Sequence, residues 1–222
     1  MFRKLLKGLC VTVTVLFICT TLAGAEDFSP IKLPVPIMTG GRPLMEVLKD
    51  RKTTRSFAET KLSEQTLSNL LWAACGINRP DRNLRTAPSA TNQQEIDVYV
   101  ALEKGLYLYE PKSHELKPVL SKDIRGAAGT QPFVKDVPLN LIYVADFGRM
   151  RYPSDEIKEF YSAADTGHIS QNVYLFCASE GLGAVIRGLV NKENLAKEMN
   201  LRPEQKIILS QSVGYPKDSV QK

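Results

Sequence analysis

A short cationic segment at residues 51–55 is the part of this sequence best suited to binding an anion. It reads Arg51-Lys52-Thr53-Thr54-Arg55 and so places three fixed positive charges and two hydroxyls within five residues. Guanidinium groups form a rigid fork that matches phosphate oxygens, and hydroxyls add further donors. The segment predicts a phosphate-binding site, although most clusters of Arg and Lys are solvated helix ends.

A second polar segment at residues 88–92, here called the small-residue loop, offers a different kind of surface. It reads Pro88-Ser89-Ala90-Thr91-Asn92 and lies in an irregular stretch of the kind that often carries function. Its small and amide side chains would let the backbone approach a flat ring closely.

Other chemistries lack the residues they need. The sequence has no GxGxxG turn, no P-loop and no GxSxG elbow. Its two histidines, His114 and His168, lie far apart with no close cysteine pair, which argues against a metal site. Asp165 and Glu180 lack carboxylate neighbours in the sequence, so paired acid–base catalysis has no support. His168 falls in an apolar helical pattern and is interpreted as a core histidine.

The first 25 residues have the order of a secretory signal peptide. A positive stretch (residues 1–7) precedes an apolar stretch (9–22) and the small residues Ala23-Gly24-Ala25. The apolar stretch is short for a membrane span, and an uncleaved anchor is the alternative. We therefore predict export by the general secretory route, to the periplasm or the medium, with cleavage near Ala25. Only an uncleaved signal segment would contact the membrane.

Removing 25 of the 222 residues also changes the charge balance. The whole chain has 29 Lys and Arg against 24 Asp and Glu, but three of those cations belong to the signal segment. The mature chain of 197 residues then has 26 against 24, a net charge of +2. No basic stretch is interleaved with aromatics, so nucleic acid is not expected as a partner.

The mature chain divides into an extended arm at 26–42, rich in Pro and Gly, and one domain at 43–222. Periodicity predicts an α+β fold of mixed helices and hairpins. Helices are expected near 44–51, 63–75, 155–181 (in two parts) and 194–199, and strands near 97–102, 106–109, 139–145, 183–189 and 206–213. Cys75 and Cys177 could form one disulfide, but both lie in apolar helical patterns, which favours separate buried thiols.

Six segments, in this order, resemble the nitroreductase superfamily of FMN-dependent oxidoreductases, and within it most of all the thiazoline/oxazoline dehydrogenase (SagB-type) branch. They lie at residues 51–57, 67–76, 85–90, 105–109, 165–172 and 181–185. The resemblance covers the chain from about Leu44 to Pro216. It implies a central, mainly antiparallel sheet flanked by helices, and an intertwined homodimer with FMN bound in the interface.

The resemblance also assigns site residues. One subunit would hold the phosphate and the polar edge of the ring through Arg51, Lys52, Thr53 and Arg55. The other would approach the ring with Pro88, Ser89, Ala90 and Asn92. The reactive face would meet Val185, Ile186, Arg187 and Gly188.

Three positions depart from the family pattern. Members usually carry a further phosphate-binding cation beyond the last strand, for which this chain offers only Lys217 and Lys222 as candidates. An acidic residue often stands where this chain has Arg187. Peptide azoline dehydrogenases pair a lysine with a tyrosine, and here Tyr161 matches the tyrosine while Phe160 occupies the lysine position. Tyr161 and Arg187 are candidates near the substrate, but no residue is assigned as catalytic because the flavin carries the chemistry.

The sequence thus predicts an exported FMN-dependent oxidoreductase that transfers hydride through flavin N5 in a ping-pong cycle. By resemblance, its small-molecule substrate is a nitroaromatic or a quinone. NAD(P)H is the donor that the resemblance suggests, but an exported enzyme would not readily meet it. The alternatives are a flavin-binding protein without turnover, a structural dimer without cofactor, and a peptide azoline-type dehydrogenase.

Overall fold

The computed structural model describes residues 28–217, so the predicted signal peptide and Lys222 lie outside the described residues. The strands are β1 (Ile31–Lys32), β2 (Ile77–Arg79), β3 (Leu84–Arg85), β4 (Ile96–Leu102), β5 (Gly105–Glu110), β6 (Glu115–Leu120), β7 (Leu139–Asp146), β8 (Gly183–Arg187) and β9 (Gln205–Gly214). The helices are α1 (Leu44–Asp50), α2 (Glu64–Cys75), α3 (Asp155–Ser179) and α4 (Lys192–Glu198).

Seven strands form one antiparallel sheet in the order β1-β6-β5-β4-β7-β9-β8. Short turns join β4, β5 and β6 into a meander, as adjacent antiparallel strands allow. Every residue of β7 is buried, which explains the nearly continuous apolar run in its sequence. The predicted α+β fold with a mainly antiparallel sheet is confirmed.

Helices α2 and α3 pack together on one face of the sheet. Leu70 and Leu71 of α2 are fully buried there with Val173 of α3, and burial of each such side chain contributes about 1.5–3 kcal/mol. A smaller core on the opposite face is covered by α4 through Leu195. The two cores hold β7 and β9 rigidly between them.

Helix α3 is one continuous helix of 25 residues, so the prediction of two helical parts was wrong. The side chain of Ser154 caps its first turn by accepting a hydrogen bond from the N–H of Ile157. Only one stripe of the helix is buried, and His168 lies outside it with its side chain 52% exposed. The interpretation of His168 as a core histidine was therefore also wrong.

The described part of the arm, residues 28–42, lies against the edge of its own sheet. Strand β1 pairs with β6, and the ring of Phe28 packs 4.9 Å from that of Tyr107. Ser68 of α2 donates to the carbonyl of Pro34 at 2.6 Å. Beyond that point Val35 and its apolar neighbours are exposed.

Cys75 and Cys177 are buried and free, as predicted. Burial raises the pKa of the Cys75 thiol to about 11 and raises that of Cys177 as well. Within residues 28–217, no helix has the length and apolar character needed to cross a membrane.

Candidate functional site

The cationic segment leaves the end of α1 and runs alongside β8. Arg51 closes α1 by donating its backbone N–H to the carbonyl of Val47 at 2.8 Å. Thr53 then forms a parallel bridge with Ala184, and the N–H of Thr54 donates to the carbonyl of Ala184 at 2.9 Å. The sheet edge thereby fixes the backbone that carries the cations.

Lys217 lies beside this segment because the chain beyond β9 pairs with it. The N–H of Lys217 donates to the carbonyl of Ser56 at 3.2 Å, and Phe57 bridges Pro216. Lys217, a predicted phosphate-binding cation, is therefore hydrogen-bonded to the residue that follows Arg55.

Four cations lie along these neighbouring backbone segments. Lys52, Arg55 and Lys217 are exposed, and Arg51 is half-buried with its guanidinium 5.4 Å from the centre of the Tyr174 ring. Across residues 28–217, none of the four joins an ion pair within 4 Å. An unpaired cluster of this kind matches the charge and donor needs of a phosphate dianion.

Tyr174 of α3 is a site residue that the sequence did not reveal. Its hydroxyl accepts a hydrogen bond from the N–H of Ile186 at 2.9 Å and lies 3.4 Å from the Thr53 hydroxyl. It therefore ties the cationic segment and β8 to the central helix. A Tyr in a buried helical stripe needs a hydrogen-bond partner for its hydroxyl. This need was the only sequence signal that could have pointed to Tyr174.

Two cavities flank the segment. The Arg51 cavity has a volume of about 530 Å³ and is lined by Arg51, Lys52, Thr54, Tyr174 and Pro216, among others. The Arg187 cavity, of about 140 Å³, is lined by Arg55, Gln131, Phe133 and residues 185–189. The volume of the first lies within the range of small-molecule sites.

Arg187 lies at the end of β8, and its guanidinium is buried in the protein rather than exposed in a cavity. It donates to the carbonyl of Ala128 at 3.1 Å, to Oδ1 of Asn140 at 3.1 Å and to Oγ of Ser210 at 3.0 Å, and it also donates to Oγ of Ser212. Burial lowers the pKa of Arg187 to about 10, so it stays charged at neutral pH. The sequence had placed this charge over the flavin edge.

The residues at these cavities fit FMN. The unpaired cations suit its phosphate, and two buried polar atoms at the Arg187 cavity lack protein partners: Nε of Arg187 and Oε1 of Gln131. Buried groups of this kind are normally hydrogen-bonded, so their presence beside a cavity indicates a polar ligand. The polar edge of a flavin ring has both donors and acceptors.

The small-residue loop lies elsewhere in the same chain and lines neither cavity. The N–H of Ala90 donates to Oδ2 of Asp165, in the middle of α3, at 2.9 Å. Tyr174, beside the cations, stands nine residues further along that helix, an axial rise of about 13 Å. Thr91 and Asn92 have φ of 51° and 56°, a strained conformation that often marks functional loops.

A carboxyl pair under this loop was invisible to sequence reasoning, since its members are 70 positions apart. Glu95 is fully buried, and neither of its oxygens accepts a hydrogen bond from the described residues. Burial, together with the nearby charge of Asp165, raises the pKa of Glu95 to about 7. Asp165, the charged neighbour of Glu95, also fixes the loop by accepting the hydrogen bond from the N–H of Ala90.

Tyr161 and a groove beside α4 lie away from both cavities. The ring of Tyr161 stacks on Tyr152 with centroids 4.7 Å apart. The groove, of about 1,040 Å³, runs between α4 and the start of β9 and contains none of the predicted site residues. Its cations, unlike those of the cationic segment, include ion-paired ones such as Lys197 and Arg202. No cluster of metal-ligating side chains occurs among residues 28–217.

Comparison with known proteins agrees with this geometry. The sequence profile of the nitroreductase family matches residues 48–215, which include the cationic segment, the small-residue loop and β8. A crystal structure of a candidate nitroreductase from Ralstonia eutropha superposes with a TM-score of 0.81 at 46% sequence identity, covering 85% of this chain and 90% of that one.

Two curated relatives show a similar pattern. A candidate nitroreductase of Methanocaldococcus jannaschii is 32% identical over 155 residues, which is 65% of this chain and 78% of the relative. An NAD(P)H-dependent FMN reductase of Bacillus subtilis is 25% identical over 190 residues, 79% of this chain and 66% of the relative.

Proposed function

This chain belongs to the nitroreductase family, and we propose that it is an exported FMN-dependent oxidoreductase acting on a small organic molecule. The observation that carries the proposal is the set of unpaired cations beside the two cavities. Arg51 and Lys52 line the first, and Arg55 lines the second together with residues that have orphaned buried polar atoms. FMN when bound supplies hydride exchange at N5 in two alternating half-reactions.

The chain's own residues would position this cofactor. Arg51, Lys52 and Lys217 would bind the phosphate, with Thr53 as a hydroxyl donor. Arg55 would reach the polar edge of the ring, and β8, through residues 185–188, would present its backbone. Because Tyr174 already binds the amide of Ile186, that amide serves to fix the strand rather than to contact the ring.

The second half of the site would come from another copy of the chain. Within one chain the small-residue loop lines neither cavity, and its anchor Asp165 lies about 13 Å along α3 from Tyr174. Apolar side chains are exposed at one end of the molecule: Val35, Ile37, Met38, Leu44, Met45 and Leu48. Such a surface is typical of a protein interface, and a homodimer would cover it while bringing Ser89 and Asn92 to the partner's cations.

Nitroaromatics and quinones are the proposed substrates, because they accept hydride equivalents from a reduced flavin. NAD(P)H serves the Bacillus subtilis relative by name. An exported enzyme would need a donor found outside the cytosol, for which a quinol is the chemical class we favour. In the azoline dehydrogenase alternative, Tyr161 would act near the substrate. The stacking of Tyr161 on Tyr152 gives Tyr161 a structural role instead.

Reconstitution of the mature protein with FMN tests the proposal. The purified protein, mixed with FMN and passed through a desalting column, should retain one flavin per chain, visible in its absorbance spectrum. Anaerobic addition of NADPH, NADH or a quinol should then bleach the flavin band, and a quinone or nitroaromatic should restore it. Retention of FMN without any bleaching would instead support the flavin-binding protein without turnover. Failure to retain FMN would refute both.

A further inference from the structure

We infer that Arg187 supplies the buried counter-charge for the anionic reduced form of the cofactor and thereby raises its reduction potential. The inference rests on the proposed function, since it requires FMN at the Arg187 cavity. Arg187 is a buried cation at the end of β8.

Arg187 is a buried charge without a protein counter-ion. The residue is 5% exposed, and the four groups that accept its hydrogen bonds are a carbonyl, an amide and two hydroxyls. Within residues 28–217, no carboxylate lies within 4 Å of it, and none contributes to its lowered pKa. An unpaired buried charge is costly, so an anion that binds nearby gains from it.

The position of the charge indicates where that anion binds. Arg187 lines the same cavity as Arg55, and its guanidinium lies 5.8 Å from the centre of the Phe133 ring, which lines the cavity too. Its Nε and Oε1 of Gln131 both lack partners. Gly129 sits directly against them, since a Cβ there would approach Arg187 Nε to 2.8 Å. The cavity is therefore lined by two cations, and behind its wall two buried polar atoms lie against Gly129 without partners.

The charge of FMN changes during its redox cycle, which makes it the ligand of interest. Uptake of two electrons and one proton leaves a negative charge on the pyrimidine part of the ring, whereas a second proton neutralises it. A cation in a low-dielectric region favours the charged product more strongly than it would in water. Arg187 would therefore favour the reduced ring over the neutral oxidised one.

The test compares three variants of the mature protein after reconstitution with FMN. Arg187→Gln removes the charge, Arg187→Lys keeps it, and Arg202→Gln removes a 61% exposed charge remote from the cavity. The reduction potential of bound FMN is measured by equilibration with a reference dye. Arg187→Gln should lower the ratio of affinities for reduced over oxidised FMN at least tenfold, which is about 30 mV for a two-electron couple. The other two variants should stay within threefold of the wild type.

An Arg187→Gln protein that binds FMN with a ratio within threefold of the wild type would overturn the inference.

If the variants do not fold, proton uptake on reduction of the wild-type protein with bound FMN tests the inference. At a pH where free reduced FMN takes up two protons per electron pair, the bound cofactor should take up one. Uptake of two protons would contradict the inference alone. A wild-type protein that binds no FMN would contradict the proposed function, and the inference with it.

Discussion

Arg51 is the residue whose loss is expected to weaken FMN binding most directly. Arg51→Ala removes a charge-assisted contact worth about 1.5–3 kcal/mol, so the dissociation constant should rise about 10- to 150-fold. Fluorescence titration with FMN measures this change. Lys61→Ala is the matched control, because Lys61 is an exposed cation paired with Glu103 on another surface. Equal affinity in wild type and Arg51→Ala would contradict the site assignment.

Glu95 gives the protein a pH dependence of known sign. Its pKa rises from an ordinary 4.5 to about 7 on folding, so between these values the folded state holds a proton that the unfolded state has lost. The free energy of unfolding should therefore fall as pH rises from about 4.5 to 7, by about 3 kcal/mol in total at about 1.4 kcal/mol per pKa unit. The stabilisation from the protonated Glu95 is complete below about pH 4.5 and is lost above about pH 7.

Glu95→Gln should abolish that slope, because the amide is uncharged and similar in shape. Urea unfolding of wild type and variant at pH 5 and pH 8 tests this: the variant should be the more stable protein at pH 8. Glu103→Gln, an exposed carboxylate paired with Lys61, is the control. A wild-type slope that survives in Glu95→Gln would show that another group is responsible.

At the scale of single residues, composition and spacing identified the cations but not their setting. Arg51 and Arg55 could be proposed from residue type and spacing, whereas Lys217 was proposed only from the family resemblance. The partners of Glu95 and Tyr174 could not, because the contacts that define them join positions far apart in the chain. Arg187 illustrates the same limit: its identity was visible, while its burial depends on β7 and β9.

Among the elements, α3 does most to organise the site, since it contacts the cationic segment at Tyr174 and the small-residue loop at Asp165. Tyr174→Phe would leave the buried N–H of Ile186 without its acceptor, at a cost of about 1–3 kcal/mol. We expect lower stability in urea and weaker FMN binding together. Tyr161→Phe, which keeps the stacked ring, should change neither. Loss of stability with unchanged FMN affinity would assign Tyr174 to the fold alone.

The sequence predicted most elements well and α3 less well. Strands such as β4 and β7 stood out because alternating or continuous apolar runs have few other interpretations. The break expected in α3 did not occur, because a capped first turn and a buried stripe outweigh the polar residues around Gly167. Asp165, Thr166 and Ser170 lie in the buried stripe, whereas Gly167 and His168 are exposed, so the apolar pattern misassigned His168.

For the whole molecule, the main prediction is that each site combines two chains. An Arg51→Ala homodimer and an Asn92→Ala homodimer would each have two damaged sites. Exchange of subunits between them should create mixed dimers with one intact site, and about a quarter of all sites should regain wild-type affinity. Titration with FMN after mixing in mild denaturant and refolding measures this fraction.

The matched control mixes Arg51→Ala with Lys52→Ala, which damage the same half of the site and should not complement each other. Recovery in this control, or no recovery in the main experiment, would contradict a shared site.

The two buried thiols have a consequence for how the protein could be followed as it opens. Cys75 and Cys177 are sealed in the core between α2, α3 and the sheet, and only a thiolate reacts rapidly with an alkylating reagent. Each thiol would therefore be alkylated only after the surrounding core has opened, so the rate of alkylation reports the rate of opening. Because the fold needs no cross-link, the protein could mature without an oxidant, and its native chemistry already contains two reporters of its unfolding.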